Sequence, residues 1–362
     1  MENKRTELRS VGEFGLIEHI RRVVEIRADD SALHENLRLG IGDDAAAFRP
    51  SPGKLQLLTT DALVEGIHFD LTFTSFQHLG WKAIVSNISD IAAMQGTPRY
   101  ATVVLSLPGK VSVEMVEEFY RGVAFACKKY ACLVVGGDTT TTFGNMAVAV
   151  AMTGEVSEDA MVSRSGAKVG DLLCVTGHLG GAHAGLKILL REKEKFLKAG
   201  EPGSVSPNLE PYKAALERYF MPKPRLDLTR VFAEKATVHA MIDISDGLAS
   251  EVHRLCEASG VGAEVWEHNL PVENTTRSVA GEFSEPVYDY ALYGGEEYEM
   301  LFAIADDEFK KLERATSDVT VVGRIVGKGK GISLIRENGE RETLRAGGWD
   351  HFGEIDKGKR KN

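Results

Sequence analysis

The chain has 362 residues, and its 43 Lys and Arg against 53 Asp and Glu give a formal net charge of −10. A chain of this length predicts about two domains, with enough buried surface for a core that needs no disulfides. A hydrophobic content of 43% excludes disorder as the main state. The acid excess excludes a broad nucleic-acid surface, because such a surface needs clustered Lys and Arg.

The sequence gives no sign of a membrane segment or a disulfide framework. No apolar run approaches the roughly 18 residues of a membrane helix, and residues 1–10 lack the apolar stretch of a signal peptide. The cysteines form no C-x-x-C pair, so neither a zinc knuckle nor a redox motif is expected. They are Cys127, Cys132, Cys174 and Cys256. Scattered thiols in a large chain indicate a reducing, cytoplasmic location.

Helix and strand signals alternate along the first 150 residues. Apolar residues at helical spacing between Phe14 and Val24 predict a helix, and residues 77–94 predict a second one. Ser112 is expected to cap a third helix. Valine-rich and leucine-rich runs bounded by Gly, Pro or Thr predict strands at 55–58, 100–107, 133–135 and 146–152.

The second half begins after a change of composition between residues 154 and 168. Strands are predicted at 172–176 and 238–244, and a helix is predicted at 247–259, ended by Gly260. The charged stretch 191–213, which contains Gly, Ser and Pro, is interpreted as a surface excursion. Hairpin-like neighbours occur beside crossovers, so an α+β fold is favoured over a purely parallel sheet.

Aspartates recur at junctions beside Gly, Ser or Thr. These junctions are Gly42-Asp43-Asp44, Thr59-Thr60-Asp61, Ser89-Asp90, Gly137-Asp138-Thr139 and Asp243-Ile244-Ser245-Asp246. Carboxylates and hydroxyls at turns are hard oxygen ligands that suit Mg²⁺. Any single case is also explained as a common turn or a helix N-cap. Asp90 is the most informative, because a carboxylate among apolar helix residues is rarely buried without a partner.

The familiar catalytic motifs are absent or weak. No G-x-x-x-x-G-K-[ST] loop and no G-x-S-x-G elbow occurs, and the G-x-G-x-x-A match at residues 40–45 contains two aspartates that would repel a pyrophosphate. His68 lies in a polar segment that contains glycine. It is interpreted as a substrate contact, and the alternative is a structural histidine.

A set of motifs in fixed order resembles the thiamine-monophosphate kinase family, in the superfamily of aminoimidazole ribonucleotide synthetase. The motifs are Gly12-Glu13-Phe14, residues 41–46, residues 59–61 with 65–69, residues 87–94, residues 136–140, Thr176-Gly177, residues 242–248, residues 294–299 and residues 348–352. The resemblance covers nearly the whole chain, from about Gly12 to Phe352.

The resemblance implies ATP-dependent phosphorylation of thiamine monophosphate to thiamine diphosphate, with several Mg²⁺ ions at the active site. Because a phosphate monoester is already anionic near neutral pH, the expected mechanism is direct in-line transfer without a covalent enzyme intermediate. It also implies a homodimer whose N-terminal domains pair through β-structure. The implied domains are an N-terminal ATP-binding, Mg²⁺-binding and dimerisation domain at 1–154 and a C-terminal α+β domain at 155–352. A basic tail at 353–362 follows them.

Site residues follow from the resemblance by matching motif positions. The implied metal-site residues are Asp44, Thr59, Thr60, Asp61, Asp90, Asp138, Asp243 and Asp246. The implied ATP contacts are Tyr120, Gly137, Asp138, Arg164 and Ser245. The implied thiamine phosphate contacts are His68, Glu296 and Trp349, and the alternative for Trp349 is packing on the core.

One residue departs from the family pattern, and two alternatives stay open. Glu297 stands where many relatives have Asp, a change that adds one methylene and is expected to leave the charge intact. The first alternative is another ATP-using synthetase of the superfamily. A selenophosphate synthetase would need a reactive cysteine near the N-terminus, whereas the first cysteine here is Cys127. The second alternative is a non-catalytic nucleotide or cation sensor.

Overall fold

The computed structural model describes residues 5–25, 31–41, 44–199 and 207–348. The chain divides into two compact units. The first unit comprises Met1–Val162, Arg191–Val205 and Phe220–Glu234, and the second comprises Ser163–Leu190, Ser206–Tyr219 and Lys235–Asn362. No helix within the described ranges is long and apolar enough to cross a membrane.

Helices and strands alternate in both units. The helices are α1 (Leu8–Glu25), α2 (Ser31–Asn36), α3 (Phe76–Ala93), α4 (Val113–Tyr130), α5 (Gly181–Ala199), α6 (Lys213–Phe220), α7 (Leu226–Lys235), α8 (Leu248–Ser259), α9 (Asn274–Phe283), α10 (Val287–Tyr293) and α11 (Asp306–Ala315). The strands are β1 (Leu37–Leu39), β2 (Ala47–Phe48), β3 (Lys54–Val64), β4 (Thr97–Pro108), β5 (Leu133–Thr142), β6 (Ala147–Ser157), β7 (Leu172–Thr176), β8 (Val238–Ile244), β9 (Gly262–Trp266), β10 (Glu299–Ile304), β11 (Val319–Val326), β12 (Ile332–Ile335) and β13 (Arg341–Thr343).

The first unit is built on a four-stranded sheet in the order β3-β6-β4-β5. The β4–β5 pair is parallel and the other pairs are antiparallel. Helix α3 packs on β3, β6 and β4. It is buried around most of its circumference, including the polar residues Lys82, Asn87 and Ser89. Such burial places the end of α3, where Asp90 lies, directly beside the sheet.

Helices α3 and α4 meet at two glycines that allow their backbones to touch. A Cβ on Gly80 would lie 2.0 Å from the carbonyl oxygen of Phe119, and a Cβ on Gly122 would lie 1.9 Å from that of Gln77. Both distances are far below van der Waals contact, so each position requires glycine. This close crossing fixes how α3 lies against its neighbour.

The second unit is built on a seven-stranded sheet in the order β13-β12-β9-β11-β7-β10-β8. Only the β12–β9 pair is parallel among these described strands. Helix α8 covers its core with an apolar face, in which Leu248, Val252 and Leu255 are fully buried. The predicted α+β class is therefore confirmed.

Several predicted element bounds differ from the structure. Strand β3 continues through Thr59-Thr60-Asp61 to Val64, and β5 continues past Gly136-Gly137 to Thr142. A Cβ on Gly137 would lie 2.0 Å from the carbonyl oxygen of Val103 on β4, so this glycine serves strand pairing rather than a strand end. The predicted excursion at 191–213 is helical up to Ala199, where α5 ends.

The compact units also divide the chain differently from the predicted bounds 1–154 and 155–352. Residue 154 lies inside β6, and the first unit extends to Val162. Two later segments rejoin that unit, and a hydrogen bond from Trp81 Nε1 to the Pro222 carbonyl at 2.9 Å helps to tie in the second of them. Such a return of the chain cannot be inferred from local composition. The predicted tail 353–362 lies outside the described residues.

Candidate active site

In the first unit the structure brings Thr59 and Asp90 together. The hydroxyl of Thr59 on β3 donates to Asp90 Oδ2 near the end of α3 at 2.5 Å. Side chains alternate along a strand, so Asp61 lies on the same face of β3 as Thr59. Both are half-buried, as is Asp90. The partner that the sequence led us to expect for Asp90 is therefore present.

Thr60 and Asp138 belong to the opposite face of this sheet. Thr60 pairs with Ala151 and its hydroxyl donates to the Val150 carbonyl at 3.0 Å. Asp138 pairs with Val104, which is 39% exposed, and directly paired residues share a face. The predicted metal-site residues of β3 and β5 are thus split between two faces. Asp44 is exposed in a bend before β2, and Asp43 lies outside the described residues.

The donor chemistry around Asp90 fits Mg²⁺. Its carboxylate and the neighbouring Thr59 hydroxyl are hard oxygen donors of the kind this ion prefers. Within the described ranges, no group of three or more His, Cys, Asp or Glu side chains is arranged to hold a metal. The complete ligand set therefore stays a prediction.

His68 is held in one orientation by the turn that contains it. The Val64 N–H donates to His68 Nδ1 at 3.0 Å, and the His68 N–H donates back to the Val64 carbonyl at 2.9 Å. Lys82 Nζ, on the buried face of α3, donates to the His68 carbonyl at 3.1 Å. Because Nδ1 accepts a hydrogen bond, the neutral ring carries its proton on Nε2 and presents a donor there. A donor suits an anionic ligand and does not suit a general base.

In the second unit, charged groups gather where β8 meets α8. Asp243 is buried near the end of β8, while Ser245 and Asp246 are half-buried in the junction. Arg254 Nη2 donates to Asp246 Oδ2 at 2.7 Å, and the Asp246 N–H donates to Glu251 Oε1 at 3.3 Å. The orientation of Asp246 is thus fixed from two sides.

Glu251 is a buried acid at this junction that the sequence did not single out. Burial raises the pKa of its carboxyl to about 7, against the lowering effect of Arg254. The positive charge of Arg164 also lowers the pKa of Glu251. Arg164 itself is exposed, and its carbonyl accepts a hydrogen bond from Ser259 Oγ at 3.2 Å. The predicted ATP contact Arg164 therefore belongs to the surroundings of the β8–α8 junction.

Glu296 follows a glycine pair and sits in an unusual backbone conformation. Its φ is +66°, in the left-handed region that residues other than glycine rarely adopt. Its N–H donates to the carbonyl of Ser245 at 2.7 Å. This bond joins the predicted substrate contact Glu296 to the predicted ATP contact Ser245.

For three other predicted substrate contacts, the described structure adds no support for a binding role. Tyr120 is 3% exposed in the core beside Phe119, and burial raises the pKa of its phenol. Gly137 is exposed on β5. Trp349 lies outside the described residues. The roles predicted for these residues stay predictions.

Glu297 differs from the expectation that its charge is kept. The residue is 2% exposed, and burial raises the pKa of its carboxyl to about 8 despite the nearby Arg218. Its Oε1 accepts from the Ala182 N–H at the start of α5 at 3.1 Å, and its Oε2 is a buried atom without a hydrogen-bond partner. The neutral acid is therefore favoured near pH 7.

We expect Glu297→Gln to stabilise the protein increasingly as the pH rises. The folded-state pKa of about 8 lies above the ordinary glutamate pKa of 4.5. The stability linked to this group is therefore complete below pH 4.5 and is lost as the pH rises through 8. The advantage of the amide should grow over this window, by at most about 1.4 kcal/mol per pH unit. Melting temperatures of both proteins between pH 5 and 9 measure it, with Glu217→Gln as an exposed control. A difference that does not change with pH would contradict the burial argument.

The comparison with known families first defines a class. The family described as "AIR synthase related protein, N-terminal domain" matches residues 42–156, and "AIR synthase related protein, C-terminal domain" matches residues 168–336. The two matches together span well over half of the chain. The molecule is therefore a two-domain protein related to AIR synthase.

Individual relatives narrow this class. The thiamine-monophosphate kinase of Aquifex aeolicus (strain VF5) is 35% identical over 346 residues, 95% of this chain and 99% of the relative. The crystal structure of the enzyme of that name from Stenotrophomonas maltophilia K279a superposes with a TM-score of 0.74 at 31% identity, over 90% of this chain and 96% of that one. The structure of "AaThiL complexed with AMPPCP and TMP" has a TM-score of 0.72 at 33% identity, over 97% and 100%. This chain belongs to the thiamine-monophosphate kinase family, as its motifs indicated.

Proposed function

We propose that this protein transfers the γ-phosphoryl group of ATP to thiamine monophosphate and so forms thiamine diphosphate. The observation that carries the proposal is the similarity, over nearly the whole chain, to a protein whose structure holds AMPPCP and TMP. AMPPCP is an analogue of ATP, so that complex pairs a nucleotide with a second phosphate-bearing ligand. Similarity to thiamine-monophosphate kinases over 95% and 88% of this chain supports the same reaction.

The acceptor chemistry explains why no strong general base is needed. The second pKa of a phosphate monoester is about 6, so the attacking oxygen is already anionic near neutral pH. His68 agrees with this, because the hydrogen bond that its Nδ1 accepts from Val64 places the proton of the neutral ring on Nε2, where it can donate but cannot act as a base. We therefore propose direct in-line transfer with no covalent enzyme intermediate.

The main obstacle to the reaction is repulsion between two polyanions. Two unit charges 4 Å apart repel by roughly 4 kcal/mol at an effective dielectric near 20, and both substrates carry more than one charge. Mg²⁺, when bound, supplies positive charge that offsets this repulsion and helps align the reacting oxygens. We propose that several Mg²⁺ ions share as ligands Asp44, Thr59, Thr60, Asp61, Asp90, Asp138, Asp243 and Asp246, with those on opposite sheet faces serving different ions. The Thr59–Asp90 contact supports the assignment most directly.

We propose separate sets of residues for the binding of thiamine monophosphate and of ATP. For thiamine monophosphate we propose His68, Glu296 and Trp349, of which Trp349 offers an aromatic face to a cationic ring. For ATP we propose Tyr120, Gly137, Asp138, Arg164 and Ser245. Arg164 adds a permanent positive charge with a planar set of donors.

We further propose that two copies of the chain pair through the first unit. Leu58 on β3 is 77% exposed and Val104 on β4 is 39% exposed, and both lie on the sheet face opposite α3. A second copy of the same sheet would remove these two side chains from water, so we propose this face for the contact between the two copies.

All four cysteines are buried free thiols, which supports the cytoplasm as the location.

We expect Leu58→Lys to convert a dimer into a monomer. The added charge would be buried without a partner in the paired state and solvated in the single chain. Size-exclusion chromatography with light scattering measures the change at micromolar concentration. Leu197→Lys, at a position 58% exposed on α5, is the matched control and should leave the mass unchanged. A wild type that is already monomeric, or a Leu58→Lys dimer, would contradict the proposal.

The activity itself is tested with purified protein, ATP, Mg²⁺ and thiamine monophosphate, with the products separated by chromatography. The expected product is thiamine diphosphate, formed in step with ADP. Absence of thiamine diphosphate would overturn the proposal, and equal turnover of unphosphorylated thiamine would extend the substrate class.

A further inference from the structure

Residues 294–299 form a strained segment that the structure holds at several points. Glu296 and Tyr298, two residues apart, have φ values of +66° and +54°. A left-handed conformation at a residue with a side chain persists only where the surroundings enforce it. Two backbone hydrogen bonds contribute, from the Glu296 N–H to Ser245 at 2.7 Å and from the Tyr298 N–H to Ile244 at 2.9 Å.

Glu297 lies between these two residues and ties the segment to a different element. Its side chain is fully buried, and Oε1 accepts from the Ala182 N–H at 3.1 Å, 115 positions away in the chain. Ala182 is in the first turn of α5, where backbone N–H groups have no partner within the helix. The carboxyl oxygen supplies that missing partner.

Glu299 shows that the next buried acid has different partners. Its Oε2 accepts from Thr176 Oγ1 at 2.6 Å, and its Oε1 accepts from Arg218 Nη1 at 2.7 Å. Arg218 thus donates its hydrogen bond to Glu299, whereas Glu297 accepts from the backbone of α5. Glu297 therefore links the segment between the two strained residues to the first turn of α5.

We propose that Glu297 is a positioning residue, whose carboxyl holds Glu296 in the left-handed conformation in which it meets the thiamine phosphate. This inference rests on the proposed function, in which Glu296 contacts that substrate. Glu297 acts on the substrate only through its neighbour. Loss of the Glu297 contact should therefore weaken the binding of thiamine monophosphate and leave the binding of ATP nearly unchanged.

The chemistry of the contact indicates which substitutions keep it. Burial raises the pKa of Glu297 to about 8, so the acceptor for Ala182 is an oxygen of a neutral carboxyl. Glutamine has the same shape and the same carbonyl-type acceptor. Glu297→Gln should therefore preserve the contact, whereas Glu297→Leu removes the acceptor and leaves the Ala182 N–H unpaired.

Steady-state kinetics with both substrates test the proposal. Glu297→Leu should raise the KM for thiamine monophosphate by about tenfold or more while the KM for ATP changes less than about twofold. Glu297→Gln should restore a KM within about threefold of the wild type. Glu267→Leu is the matched control, because Glu267 is a buried acid of the same unit that accepts from the Glu337 N–H at 3.2 Å. It should lose stability with no change in KM.

A second variant covers the case in which Glu297→Leu does not fold. Ala182→Pro removes the donor instead of the acceptor, at a first-turn position where helices tolerate proline. It should raise the KM for thiamine monophosphate in the same direction. Calorimetric titration with thiamine monophosphate should show the same weakening without turnover.

The outcomes separate this inference from the proposed function. A wild type that makes no thiamine diphosphate overturns the function. An active wild type whose Leu and Pro variants keep the KM for thiamine monophosphate overturns the positioning role alone. A Gln variant as impaired as the Leu variant also overturns it, because the contact would then depend on charge.

Discussion

Asp90→Asn is expected to reduce kcat by at least about 100-fold, because it removes a charge that we assign to Mg²⁺ binding. The amide keeps the shape of the side chain and can still accept from Thr59, whose hydroxyl lies 2.5 Å from Asp90 Oδ2. The melting temperature should therefore stay near that of the wild type. The Mg²⁺ concentration that gives half-maximal rate should rise.

The matched control for this variant is Asp307→Asn, an exposed aspartate at the start of α11. It removes the same charge from the protein and should leave both kcat and the Mg²⁺ dependence unchanged. Near-normal turnover of Asp90→Asn would contradict the metal assignment. Equal losses in both variants would show that net charge, rather than the site, controls the rate.

Gly122→Ala is expected to cost about 2–3 kcal/mol in the free energy of unfolding. The new methyl group would lie 1.9 Å from the Gln77 carbonyl oxygen and 3.0 Å from the Trp81 nitrogen, both on the backbone of α3. Backbone atoms cannot turn aside as a flexible side chain can, so α3 and α4 must separate. The intrinsic helical gain of Ala over Gly, about 1 kcal/mol, offsets only part of this cost.

Urea unfolding followed by circular dichroism measures the Gly122→Ala effect. Gly109→Ala in the same unit is the control, since nothing lies within 4 Å of a Cβ at that position. Its effect should stay within about 0.5 kcal/mol. Gly80→Ala should behave like Gly122→Ala, because a Cβ there would lie 2.0 Å from the Phe119 carbonyl oxygen. A stable Gly122→Ala would contradict the close crossing.

The spacing of apolar residues predicted the two helices that position the site. The predicted ends of both helices lie within one residue of the observed ends, because the apolar pattern stops where each helix stops. The predicted helix 77–94 is α3 at Phe76–Ala93, and the predicted helix 247–259 is α8 at Leu248–Ser259. The predicted end of β5 at Gly136-Gly137 is wrong, because glycine is unfavourable inside most strands and was interpreted as a strand end. Here the absence of a side chain lets the Val103 carbonyl approach.

Long-range contacts were beyond the reach of local patterns. The sequence drew attention to Asp90 as an isolated carboxylate but did not identify Thr59 as its partner. From the sequence, Glu297 is only a residue that replaces Asp. Its hydrogen bond with the Ala182 N–H could not be predicted, because the two residues are 115 positions apart. The proton on His68 Nε2 likewise follows from the Val64 contact rather than from a motif. Order along the chain identified the family, and the contacts identified what each residue does locally.

The central claim is direct phosphoryl transfer from ATP to thiamine monophosphate. It is tested by one single-turnover measurement with ATP labelled with ³²P on the γ-phosphate, the wild-type protein, Mg²⁺ and thiamine monophosphate, quenched over a time course. The account predicts that label passes into thiamine diphosphate as ATP disappears, with no labelled protein at any time. Labelled protein that forms before the product, or no labelled thiamine diphosphate at all, would contradict it.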